Sequence, residues 1–106
     1  MAEEEALYSV NPWDMEEFFQ VLQTFPPAQQ ERVIQFMAQH FTRRPKVMIP
    51  GQLKALRGKW QGTFQLECGG GRRLLYEVDD QRRAVNIIYL GDHPEWDKHR
   101  KMDRGR

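Results

Sequence analysis

The stretch Gly69-Gly70-Gly71-Arg72-Arg73-Leu74-Leu75-Tyr76-Glu77-Val78-Asp79-Asp80-Gln81-Arg82-Arg83-Ala84-Val85-Asn86-Ile87-Ile88-Tyr89-Leu90-Gly91-Asp92-His93-Pro94 decides the fold. It holds two runs rich in β-branched and aromatic residues, Arg72–Val78 and Ala84–Leu90, joined by a polar turn at Asp79–Asp80–Gln81. Glycines bound it on one side and Gly91-Asp92-His93-Pro94 on the other, which is the signature of a β-hairpin. The second run is nearly continuous in apolar residues from Val85 to Leu90, so it is expected to be a central strand covered on both faces. A histidine just past such a strand, with Arg73 at the start of its neighbour, makes a candidate chemical site. The plainer alternative is a solvated loop histidine and a surface arginine.

Upstream of the hairpin, Thr63–Cys68 alternates Phe64, Leu66 and Cys68 with Gln65 and Glu67, the period of a half-buried strand. Gly69–Gly71 makes the turn into Arg72. Before that strand lies a basic segment, Arg43 to Gly62, broken by Pro45, Pro50, Gly51 and Gly58 and expected to be loop, with Leu53 and Leu56 pinning it to the core. Two helices are expected further back. Asn11 serves as N-cap and Pro12 as first helical residue of one whose apolar face is Met15, Phe18, Phe19, Leu22 and Phe25. Pro26–Pro27 ends it and opens another, reaching about Thr42, with Val33, Ile34, Met37 and Phe41 on one side. Arg32 is placed on its polar side, and His40 near its C-terminus carries no assigned chemistry. Ala6–Val10 reads as a short strand and Glu95–Met102 as a short terminal helix. Residues 1–5 and 103–106 have nothing to bury and are expected to be disordered.

A chain of 106 residues supports one domain, 1–106, with a modest core. Its 40% hydrophobic and 11% aromatic content fits a folded globular protein. The single cysteine, Cys68, excludes an internal disulfide and fits a reducing compartment. The acidic start without an apolar run argues against a signal peptide, and no stretch approaches the ~20 apolar residues of a membrane span; a cytoplasmic location without membrane contact is expected. The net charge of +1 conceals a polarity. Residues 1–42 hold seven acids and one base, −6, whereas residues 43–106 hold fifteen bases and eight acids, +7. The basic half points to an anionic partner such as nucleic acid or an acidic protein tail, the plainer alternative being Lys and Arg scattered for solubility.

The expected architecture is α+β: an N-terminal helical hairpin packed on one face of a small antiparallel sheet, in the order β-α-α-β-β-β, with a short C-terminal helix. The last three strands form a meander, and the first strand joins beside one of them.

At this point the residues resemble a family. Leu53-Lys54-Ala55-Leu56-Arg57-Gly58, the strand Phe64–Cys68, the segment Gly71-Arg72-Arg73-Leu74-Leu75-Tyr76-Glu77-Val78-Asp79-Asp80 and the closing Tyr89-Leu90-Gly91-Asp92-His93 are similar, in order and spacing, to the RelE/ParE superfamily of bacterial toxin–antitoxin toxins. The similarity runs from about Tyr8 to Lys101. It implies a RelE-like microbial RNase fold. For RelE- and YafQ-like members it implies cleavage of mRNA on the ribosome by attack of the RNA's own 2′-hydroxyl on the adjacent phosphate, without metal or other cofactor. It also implies a cognate antitoxin as partner. The same fold serves ParE-like inhibitors of DNA gyrase, and a non-catalytic binding module is the third alternative.

The resemblance also assigns roles. Arg73 matches the strand arginine that faces the scissile phosphate, a task suited to a permanently charged guanidinium fork. His93 matches a position that donates a proton to the leaving oxygen. Trp96 either stacks on a base or plugs the terminal helix. Lys54, Arg57, Lys59 and Arg72 grip flanking RNA phosphates, or are simply solvated. The chain departs from RelE where two strand lysines are replaced by Gln65 and Glu67. Glu67 cannot neutralise phosphate, but as a carboxylate it is a candidate base, so the identity of the base stays open. Cys68, His40, His93 and His99 show no metal-ligand spacing.

Overall fold

The computed structural model describes residues 7–92. The elements are β1 (Ser9–Pro12), α1 (Met15–Leu22), α2 (Pro27–Gln35) continued by a π-helical turn (Phe36–His40), β2 (Leu53–Ala55), a 3-10 turn (Gly58–Trp60), β3 (Thr63–Gly69), β4 (Arg72–Asp79) and β5 (Ala84–Asp92). The strands form one five-stranded sheet in the order β1-β5-β4-β3-β2. The fold is α+β, and β3, β4 and β5 form the expected meander.

Three expectations need correction. The sheet is mixed, because β1 pairs parallel with β5, Val10 opposite Val85. Asn11 and Pro12 are spent on that pairing, opposite Asn86 and Ile87, so neither starts α1. Asp14 caps it instead, in extended conformation, with Oδ1 accepting the Glu17 N–H at 2.9 Å. Secondly, β2 lies within the segment read as loop and pairs antiparallel with β3, Lys54 opposite Gln65. Three residues are too few to show a period. Thirdly, β5 is an interior strand, but its apolar run does not reflect two-sided burial. Leu75 pairs with Tyr89 and Tyr76 with Ile87, so Ile88 is the extra residue of a bulge. The bulge restores the phase that places Val85, Ile87 and Leu90 all inward. The short C-terminal helix and residues 1–5 and 103–106 lie outside the described residues.

A second bulge shapes β3. Glu67 pairs with Arg73 and Gly69 with Arg72, leaving Cys68 as the extra residue. The hairpin then turns through Gly70 and Gly71, both with positive φ (63° and 83°), where a side chain would be strained.

Both helices cover the same face of the sheet, α1 over β5 and β1, α2 over β3. The core between them comprises Phe18, Leu22, Phe25, Val33, Phe41, Leu53, Leu66, Leu74, Tyr76, Val85, Ile87 and Leu90. Each such side chain contributes about 1.5–3 kcal/mol on burial. The helical faces are narrower than their sequence period implies: Met15, Phe19 and Ile34 are exposed at 59%, 37% and 41%. Only the stripe that meets the sheet is withdrawn from water. Tyr76 is the centre of the core. Its ring lies 4.3 Å from Phe41 and 5.3 Å from Phe64, and its hydroxyl donates to the Pro45 carbonyl at 2.6 Å. That bond ties the α2–β2 connection to the sheet, and burial pushes the phenol well above its usual pKa. A surface cluster closes the far corner: Asp80 accepts from the Tyr8 hydroxyl at 2.8 Å and pairs with Lys46, while Arg83 lies over the Tyr8 ring.

Candidate functional site

Strand alternation sorts the side chains of β4. Leu74 and Tyr76 point to the helices, so Arg73, Leu75 and Glu77 point to the other face. The same parity on β3 and β2 brings Gln65, Glu67 and Lys54 to that face. There a cavity of about 280 Å³ is lined by Gly51, Gln52, Leu53, Lys54, Gln65, Glu67 and Arg73. Two cations face one carboxylate in it.

Arg73 is the centre of the site. Its side chain is only 20% exposed. Nε lies 2.8 Å from Glu67 Oε1, an ion pair by distance. Yet neither Nε nor Nη1 has a hydrogen-bond acceptor, and both atoms are shielded from solvent. The carboxylate therefore supplies charge without satisfying the guanidinium's directed donors. Donors left unpaired in a shielded setting are unfavourable, roughly 1–3 kcal/mol each and more for a charged group, until an acceptor arrives. A tetrahedral oxyanion carries the oxygens that such a fork binds.

Behind the cavity, α2 braces the wall. Arg32 Nε donates to the Glu67 carbonyl at 3.1 Å and Nη2 to Gln52 Oε1 at 2.8 Å, while its guanidinium lies 5.6 Å from the Phe36 ring centre. The Glu67 N–H in turn donates to the Gln52 carbonyl at 2.8 Å. Sequence reasoning placed Arg32 on the polar side of its helix and missed both it and Gln52. The available signal was that Arg32 is the one base among the first 42 residues, set beside the buried Val33.

The structure thus brings Arg73, Glu67 and Lys54 together. It does not bring Arg72 to them. Arg72 has the parity of Leu74 and lies on the helix side, 5.1 Å from the Phe25 ring centre and 3.4 Å from Gln29 Oε1. Arg57 and Lys59 are exposed beyond Ala55, at the end of the sheet away from the glycine turn. His93 and Trp96 lie outside the described residues. The strand end that precedes them does reach the site: Gly91 pairs with Arg73 and Asp92 with Arg72. Cys68 is buried on the helix side, its thiol pushed up to about 12 by burial, and is no nucleophile. Among the described residues no group of three His, Cys, Asp or Glu side chains converges as for a metal.

No protein-family model matches the chain, and no curated protein sequence matches it. Solved structures do. The RelBE2 toxin–antitoxin complex from Mycobacterium tuberculosis aligns at 27% identity over 85% of this chain and 95% of the other, with a TM-score of 0.60. The YoeB–YefM complex from Staphylococcus aureus aligns at 16% identity over 81% of this chain and 97% of the other, TM-score 0.62. A YafQ mutant from E. coli aligns at 11% identity over 83% and 96%, TM-score 0.59. At these identities the last two speak for the fold alone.

Proposed function

We propose that this chain, which has the fold of the RelE/YoeB toxins of toxin–antitoxin systems, is the toxin of such a pair and an endoribonuclease acting on mRNA at the ribosome. The observation that carries this reading is the shielded Arg73 guanidinium, with two nitrogens, Nε and Nη1, lacking acceptors, in a cavity shared with Lys54 and Glu67. In the proposed reaction the scissile phosphate takes the place of the missing acceptors. The 2′-oxygen attacks phosphorus, and its proton passes to the Glu67 carboxylate. The bond from phosphorus to the 5′-oxygen breaks, giving a 2′,3′-cyclic phosphate and a 5′-hydroxyl once an acid supplies a proton to the departing oxygen. The sequence resemblance assigns that acid to His93. Arg73, with Lys54 at the cavity's rim, holds the charge that grows on the phosphoryl oxygens, the kind of contribution worth about 10²–10³ in rate for a single donor. A helix or strand of the cognate antitoxin covering this face would silence it.

Lys54 and the exposed Arg57 and Lys59 serve flanking phosphates in this reading. Arg72 does not, since it packs against Phe25.

The test is induced expression in a bacterial host, scoring growth and mapping cleavage of ribosome-bound mRNA by primer extension. Wild type should arrest growth with new 5′-hydroxyl ends; Arg73→Ala and His93→Ala should do neither. One observation favours a second reading, a binding module without chemistry: the Glu67 carboxylate already neutralises Arg73 by charge. Growth arrest with intact mRNA and loss of plasmid supercoiling would instead identify a gyrase inhibitor, and no arrest at all the binding module.

A further inference from the structure

A second groove, of about 430 Å³, opens where α2 ends, and Phe36, Gln39, His40, Arg43, Arg44 and Ile49 are among its walls. No acid lines it. Its shape follows from the local chain. Phe36–His40 is a turn of π-helix in which the Phe41 N–H reaches back to the Phe36 carbonyl at 2.8 Å. Such turns widen a helix and recur at functional sites. The His40 carbonyl then accepts from both Arg43 and Arg44 N–H groups, at 3.2 and 2.7 Å, which ends the helix and leaves both arginine side chains exposed. The His40 ring is fixed by Nε2, which donates to the Val47 carbonyl at 2.8 Å, and Phe36 meets that ring edge-on with centroids 5.6 Å apart.

The groove and the Arg73 cavity share a wall. Ile49 lines the first and forms an isolated antiparallel bridge with Leu53, which lines the second. Arg32 spans the same wall, over Phe36 on one side and bonded to Gln52 on the other.

We propose that this groove binds a flanking nucleotide of the same single-stranded RNA whose phosphate sits at Arg73. Arg43 and Arg44 take its phosphates, and Phe36 with His40 offers aromatic rings to its base. The inference rests on the RNA reading of the Arg73 face and extends it across the Ile49–Leu53 wall. Two exposed arginines beside half-buried rings, with no carboxylate among the described lining residues, match a strand that is at once anionic and rich in π-faces. A duplex keeps its bases stacked inside and offers the rings nothing.

The test measures binding of fluorescent single-stranded RNA, a 12-mer and a trinucleotide, over a range of salt, on the full chain. Each phosphate contact contributes about 0.7 to the log–log salt slope for single strands. Arg43→Gln/Arg44→Gln should therefore flatten the 12-mer slope by about 1.4 and weaken its binding roughly 25-fold at 0.1 M salt. The trinucleotide, held at Arg73, should be unaffected. Phe36→Leu, checked for folding by thermal melt, should weaken the 12-mer about tenfold with the slope unchanged. Unchanged 12-mer affinity in the double variant, while Arg73→Ala abolishes binding, overturns this inference alone. So does an equal loss for duplex RNA of the same charge, or displacement of the 12-mer by polyglutamate at matched charge. Absence of any RNA binding by wild type overturns this inference, and overturns the function it rests on as well if ribosome-bound mRNA is also left uncleaved.

Discussion

Replacing Glu67 by Gln separates charge from chemistry at the site. The carboxylate lies 2.8 Å from Arg73 Nε, with side-chain exposures of 39% and 20%. In bulk water two unit charges at that distance interact by about 1.5 kcal/mol. Partly exposed pairs deliver less once screened and ordered, about 0.2–1 kcal/mol. An incoming RNA phosphate competes with the carboxylate for the guanidinium, so removing the negative charge should tighten RNA binding, by up to about fivefold at 1 kcal/mol. The same change deletes the proposed proton acceptor, and general bases contribute typically about 10²–10⁴ in rate. Glu67→Gln should thus bind RNA more tightly and cleave it about 10²–10⁴ times more slowly. The backbone of residue 67 remains held by Arg32 and Gln52, so the thermal midpoint should move little. The assay pairs equilibrium binding of an RNA with a 2′-deoxy substitution at the cleavage site with single-turnover cleavage of the unmodified strand. Unchanged cleavage would remove Glu67 from the mechanism. Weaker binding would show that the carboxylate positions the guanidinium instead of competing for it.

Three further outcomes are expected. Tyr76→Phe leaves the Pro45 carbonyl without its 2.6 Å partner inside the core and should lower stability by about 1–3 kcal/mol; calorimetric melting should show a fall of at least about 4 °C, and an unchanged midpoint would mean water reaches that carbonyl. Cys68, with its thiol near 12, should resist a thiol-specific disulfide reagent at pH 8 in the native protein and react at once in denaturant. Because its folded pKa lies above the unfolded value, its contribution to stability is complete below about pH 8.5 and fades as pH rises towards 12, which denaturant titrations at pH 8 and pH 10 on wild type and Cys68→Ala would compare. Asp80 has the opposite sign: Lys46 and the Tyr8 hydroxyl hold its carboxyl below the usual range, so its stabilising effect is present above about pH 4 and is lost as pH falls further; Asp80→Asn should flatten the acid limb of the stability profile, and an unaltered limb would show the cluster to be inert.

What the sequence determined by itself was local. Gly70 and Gly71 announce the tight turn because their positive φ excludes side chains, Pro27 opens α2, and the runs Arg72–Val78 and Ala84–Leu90 are strands within two residues of their ends. Of the candidate site, Arg73 at the start of its strand was legible, but its pairing with Glu67 is a matter of β3–β4 register. What only the tertiary structure decided depends on partners far along the chain. The parallel pairing of Ser9–Pro12 with β5 took Asn11 and Pro12 from the helix start, and no local signal distinguishes Asn11 from Asp14 as a cap. The bulges at Cys68 and Ile88 arise where neighbouring strands must stay in register, and a continuous apolar run looks the same with or without one. Arg32 reads as a solvent-side residue until β3 and Gln52, 35 and 20 positions away, close around it. Local propensity sets φ and ψ residue by residue, whereas register, bulges and unpaired guanidinium donors are properties of surfaces that exist only once the sheet has closed.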